Sequence, residues 1–180
     1  GALTAIQRAA LHPERVSALV LFGGFARHLV ADDYPAGHDA ALVDAYAQYV
    51  EAEWGTGVGL EFAAPSLAQN PDVLAYWARY QRLSASPSAA TRFLWACTVA
   101  DVRHLLPKIA VPTLVAHPER DVMVPIAQGQ YVAERIAGAE FLPLDSDIHL
   151  ICVSDVLDQF AAAMTDFLER VQSPLSVATA

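Results

Sequence analysis

VPTLVAHPERD, residues 111–121, decides the fold of this 180-residue chain. With Ile109 and Ala110 ahead of it, its first half makes a nearly continuous apolar run through His117. So little alternation predicts a parallel strand over 109–117 covered on both faces, with Pro112 near its start, where a missing N–H is tolerated. Upstream, VSALVLF (16–22) has the same character and is stopped by Gly23-Gly24. Residues 2–12 are rich in Ala and Leu and predict a helix ended by Pro13. Downstream, IAQGQYVAERIA (126–137) predicts a helix ended by Gly138, and EFLPL (140–144) a shorter strand. The order of elements predicts an α/β fold of about three parallel strands with flanking helices.

Between the first two strands, residues 25–105 differ. Helices are predicted from Asp39 to Trp54, with Leu42, Tyr46 and Tyr49 near one face, from Pro71 under an Asn70 cap, and from Pro87 to Val99 under a Ser86 cap. The segment is rich in aromatics and poor in strand signal, so it reads as a helical insert. The organisation is then a core of residues 1–24 and 106–171, an insert of 25–105, and a loose tail of 172–180. Ser154 is expected to cap the last helix, with Asp155 in its first turn and its end near Arg170.

Hydrophobic residues make up 54% of the chain and charged ones 17%, a globular rather than disordered profile. Twenty acidic against eleven basic residues give a net charge of −9, poorly matched to a phosphate backbone, so no nucleic-acid partner is expected. No apolar run approaches the roughly 18 residues that cross a bilayer, and no signal peptide is visible, so no membrane partner is expected. Cys97 and Cys152 form no metal-ligand or CxxC spacing and read as buried free thiols in a reducing, cytoplasmic setting.

Chemistry is concentrated after the second and third strands. Asp121 follows one and His149, in SDIHL (146–150), follows the other, 28 positions later. A parallel sheet opens both loops at the same carboxyl edge, where α/β proteins place their ligands. A carboxylate there accepts the imidazole N–H, fixes the tautomer and stabilises the protonated ring, which equips a histidine as a general base. Glu119 reads as solvated, His117 as a structural strand-end residue, and His12, His28, His38 and His104 as solvated or locally hydrogen-bonded.

The stretches VPTLVAHPERDVMVP, GQYVAERIAGAEFLPL and SDIHL resemble the acid and histidine loops of α/β-hydrolases. The opening, GALTAIQRAALHPERVSALVLFGGF, resembles the helix and strand that come after the nucleophile elbow G-x-S-x-G, with Gly1 matching the last glycine. A narrower likeness, in YQRLSASPSAA, DVRHLLPKIAVPTL and YVAERI, is to hydrolase domains of actinobacterial multidomain regulators, some joined to cyclases. The family's usual glycine before the histidine is replaced here by Ser146-Asp147-Ile148.

The resemblance implies the C-terminal part of an α/β-hydrolase fold with a helical cap over the active site. It gives Asp121 and His149 as catalytic residues, a serine two positions before Gly1, and a missing N-terminal part of the same fold as partner. The implied reaction is ester or acyl hydrolysis in the parent protein, with this fragment inactive alone. The ligand would be a small ester or apolar molecule, and neither metal nor organic cofactor is implied. Cap aromatics, with Phe25 and Val122, are candidates to line its pocket. The alternative is a non-catalytic, ligand-sensing module that regulates an attached cyclase or DNA-binding domain.

Overall fold

The computed structural model describes residues 1–172. Residues 173–180 of the expected tail lie outside the described residues, and Gln172 ends the last helix. In chain order the elements are α1 (Ala2–Leu11), β1 (Leu19–Phe22), α2 (Ala40–Glu53), α3 (Leu60–Ala63), α4 (Pro71–Ser84), α5 (Pro87–Val99), β2 (Thr113–Pro118), α6 (Ile126–Arg135), β3 (Glu140–Leu144) and α7 (Leu157–Gln172). No helix among the described residues is long and apolar enough to cross a membrane.

The three strands form one parallel sheet in the order β1-β2-β3. Leu19 pairs with Thr113 and Phe22 with Ala116 on one side of β2, while Leu114 pairs with Glu140 and Pro118 with Leu144 on the other. All six residues of β2 are buried, which is why its sequence is almost unbroken by polar residues.

Strand alternation divides the core in two. Leu19, Leu21 and Val115 pack on one face against Ile6 and Ala9 of α1 and Val132 and Ile136 at α6. On the other face Val20, Phe22, Ala116 and Leu144 pack against Phe160 and Met164 of α7, with the Phe22 and Phe160 rings edge to face at 5.2 Å.

Two strands start later than expected: β1 at Leu19 and β2 at Thr113, with 3-10 helix over Pro13–Arg15 and Arg103–Lys108 ahead of them. The helix expected under a Ser154 cap begins at Leu157, and Asp155 instead accepts a hydrogen bond from the Ser146 hydroxyl at 2.6 Å.

The insert is helical in its long elements, and the expected caps hold. Asn70 accepts the amides of Asp72 and Val73, and Ser86 accepts that of Ala89. Asp39 caps α2 through the amides of Ala41 and Leu42. The buried face of α2 carries Ala47 and Val50, whereas Leu42 and Tyr49 are exposed. Small residues there allow close packing of α2 against α5. Gln81, almost fully buried on α4, accepts the amides of Gly55 and Gly57 and donates to the Val58 carbonyl at 2.7 Å. All three glycines of the 55–59 loop have positive φ, a conformation they adopt freely because they lack the Cβ that would clash there.

Candidate active site

Three loops leave the carboxyl edge of the sheet together: Gly23-Gly24 after β1, residues 119–125 after β2, and residues 145–150 after β3. The residues that spacing singled out meet there. His149 Nδ1 lies 2.7 Å from Asp121 Oδ2. The Asp121 side chain is fully buried, and that of His149 is 23% exposed.

Each partner is held by its own loop. Asp121 Oδ1 accepts the amides of Met123 and Val124, both at 2.9 Å, so one oxygen is fixed by backbone and the other is left for the imidazole. His117, buried as a strand-end residue, donates from Nε2 to the Val124 carbonyl at 2.7 Å and closes the same loop. Burial pulls its imidazole pKa down, which favours the neutral ring with a single proton for that bond. Gly129 leaves room for this ring: a Cβ there would stand 2.2 Å from His117 Nδ1. His117 Nε2 lies 3.8 Å from Asp121 Oδ2, too far for a hydrogen bond.

With Nδ1 engaged, the tautomer that donates to Asp121 leaves Nε2 as a proton acceptor. Asp121 is the only hydrogen-bond partner of the imidazole among the described residues. Gly23 lies beside the ring, and the next residue, Gly24, sits so close to α1 that a Cβ would stand 2.7 Å from that of Ala2. The N-terminus of α1 therefore reaches the same edge, one glycine away from His149.

The sequence reading missed two histidines here. His28 and His38, expected to be solvated or locally bonded, are both half-buried, with rings 4.9 Å apart. His38 Nε2 meets the Met123 carbonyl at 3.0 Å, inside the loop that carries Asp121. Burial, then the neighbouring His38 and His149, pull the His28 pKa from 6.5 to about 4. Phe25 packs on His28 with ring centroids 4.8 Å apart. These contacts arise in an irregular stretch with no periodicity to betray them.

Other candidates settle outside the dyad. Glu119 and His104 are exposed, and Val122 is half exposed at the mouth of the acid loop. Among the aromatics of the helical segment between β1 and β2, Tyr49, Phe62, Tyr76, Tyr80, Phe93 and Trp95 are exposed. Cys97 is half-buried, and burial raises its thiol pKa. Cys152 corrects the expectation of burial: the single turn Ile151–Val153 directs Ile151 into the α7 core and leaves Cys152 on the surface.

No protein-family model matches the chain. A pimeloyl-[acyl-carrier protein] methyl ester esterase of Neisseria meningitidis is 32% identical over 174 residues, covering 95% of this chain and 67% of the relative. The karrikin insensitive 2 receptor B of Petunia hybrida is 25% identical over 146 residues, covering 81% of this chain and 53% of the receptor. The chain thus spans between about half and two thirds of the length of these curated relatives. Among solved structures, an esterase from Exiguobacterium antarcticum superposes with a TM-score of 0.78 at 25% identity, over 93% of this chain and 63% of that one. Parallel strands, helices on both faces and an esterase relative matched along nearly the whole chain agree: this chain belongs to the α/β-hydrolase superfamily.

Proposed function

We propose that this chain supplies the acid and the base of an ester hydrolase, with Asp121 orienting His149. The observation that carries the reading is the 2.7 Å Asp121–His149 contact, made by a carboxylate whose other oxygen is already held by two amides. The nucleophile in this reading is a serine two residues before Gly1, on an upstream segment of the same fold. Support comes from the N-terminus of α1, which lies one glycine away from the imidazole. A helix beginning there also turns backbone N–H groups towards the oxyanion that forms on the substrate.

The chemistry runs in two halves. His149 Nε2 takes the serine proton as the hydroxyl oxygen attacks the ester carbonyl, and Asp121 stabilises the imidazolium. The ring returns the proton to the departing alkoxide, leaving an acyl-enzyme. Water then repeats the sequence, releasing the carboxylic acid and regenerating the serine. The substrate class is a small or acyl-chain ester, in keeping with the methyl ester esterases among the relatives. No metal or organic cofactor takes part.

The test is active-site labelling of the intact protein with a fluorophosphonate, followed by peptide mass spectrometry. Labelling of the serine two residues before Gly1, lost in His149→Ala, is expected. An unlabelled protein that hydrolyses no ester would overturn the reading.

A second reading is favoured by the receptor among the relatives: a hydrolase-like module that senses a small apolar ligand and regulates an attached cyclase or DNA-binding domain. It predicts saturable ligand binding that survives loss of the nucleophile.

A further inference from the structure

The loop that presents His149 is held from the cap as well as from the sheet. The Asp147 carboxylate accepts two hydrogen bonds from one cap residue, the Ser66 amide at 2.9 Å and the Ser66 hydroxyl at 2.7 Å. Ile148 is buried with Leu60 and Ala64 of the cap. The His149 amide donates to the Ala63 carbonyl at 2.8 Å. Three consecutive residues, 147 to 149, therefore take their positions from the short piece 60–66. On the sheet side the loop is anchored by Asp145 on the Arg120 guanidinium, by Ser146 through its hydroxyl on Asp155 and its carbonyl on the Arg120 amide, and by the His149 ring on Asp121.

The 60–66 piece is itself fixed. Gln81 of α4 holds the amides of Gly55 and Gly57 and the carbonyl of Val58, immediately before α3. Continuous hydrogen bonding thus leads from the last turn of α4, through the glycine loop and α3, to the backbone of the histidine. The imidazole has one side-chain partner, so its direction depends on where its backbone is held.

We infer that Ser66 is a positioning residue for His149: through Asp147 it locks the histidine loop to the cap, so the base is aligned only while this part of the cap is docked. The inference rests on the reading of Asp121 and His149 as a working pair. It gives the substitution of Ser146-Asp147-Ile148 for the family's glycine a purpose. A glycine would free the loop, whereas these three side chains bind it to Asp155, Ser66 and Leu60 in turn. The hydroxyl and amide reach an ionised acceptor, the stronger kind of hydrogen bond.

The test tracks the hydrogen-bonded Nδ1 proton of His149 by NMR in the intact protein, assigned by its loss in Asp121→Ala. In Ser66→Ala, which changes no charge, and in Asp147→Ala, the resonance should move upfield. Its exchange with water should quicken about tenfold, the scale of one charge-assisted hydrogen bond. Ser66→Thr, which keeps the hydroxyl, should restore both. In turnover, kcat should fall by a similar factor with KM unchanged, because only the alignment of the base is lost. An unaltered resonance and exchange rate in both alanine variants would overturn the inference while leaving the dyad standing. Absence of any Asp121-dependent resonance in the parent protein would overturn the dyad and the inference with it. Ser66 is exposed, so its variant is expected to fold.

Discussion

The open side of Gly23 rests against the His149 ring, so that a methyl placed there would stand 3.0 Å from both Nδ1 and Cε1. Gly23 also has φ +56°, which glycine adopts freely. Gly23→Ala therefore meets a backbone cost of about 1 kcal/mol and a displaced imidazole. A melting temperature lower by roughly 2–4 °C is expected, with kcat down about 100-fold. Calorimetry and steady-state kinetics on the intact protein check the two effects separately.

Asp121→Asn keeps the size of the side chain but offers His149 an amide in place of a carboxylate. If the amide nitrogen faces the ring, the imidazole takes the wrong tautomer; either way the imidazolium loses its counter-charge. A fall in kcat of about 10⁴-fold is expected, the scale of such substitutions in serine triads. Comparable turnover by the variant and the parent would remove Asp121 from the mechanism.

Replacing Gln81 by Leu would leave the amides of Gly55 and Gly57 without their acceptor in a buried place, while the Val58 carbonyl keeps the Trp77 indole N–H. The expected cost is about 2–4 kcal/mol, set by the desolvation of the stranded groups. Hydrogen exchange should localise the damage: the Gly55 and Gly57 amides lose protection while those of β2 keep theirs.

Acid should destabilise the fold partly through His28. Its folded pKa is about 4 against an ordinary 6.5, because burial and the adjacent His38 and His149 disfavour its charge. Between those values the unfolded chain binds a proton that the folded chain refuses. The contribution is complete above about 6.5 and is lost as pH falls towards 4. His28→Gln should flatten that part of the stability curve in urea denaturation at stepped pH. His117, lowered by burial too, leaves a residual slope. A variant as acid-sensitive as its parent would show that His28 protonates freely in the folded state.

Legibility in the sequence depended on regularity. β2 was legible because a central parallel strand must be apolar on both faces, and α4 and α5 because Asn70-Pro71 and Ser86-Pro87 combine a cap with a residue suited to the first turn. The meeting of Asp121 and His149 came from topology alone: two loops at one sheet edge. By contrast, α3 is a single four-residue turn after a glycine loop, too short to have a period. The packed face of α2 was not legible: it carries the small Ala47 and the Val50 side chain, while the large Leu42 and Tyr49 are exposed. The approach of His28 and His38 to the acid loop, and of Ser66 to Asp147, joins irregular segments far apart in the chain, and no local pattern encodes it.

The pairing of Leu19 with Thr113 closes a loop containing the whole helical segment between β1 and β2, whereas β2 and β3 are joined through α6 alone. Closing a longer loop is cheap, about 0.6 kcal/mol for each doubling of its length. Evolution could therefore lengthen, shorten or exchange much of the helical segment between β1 and β2 with little penalty to the sheet. The exception is the few residues around Ala63 and Ser66. A transplanted segment would inherit a folded body, yet it would inherit an aligned histidine only by bringing a carbonyl and a hydroxyl to those same two places.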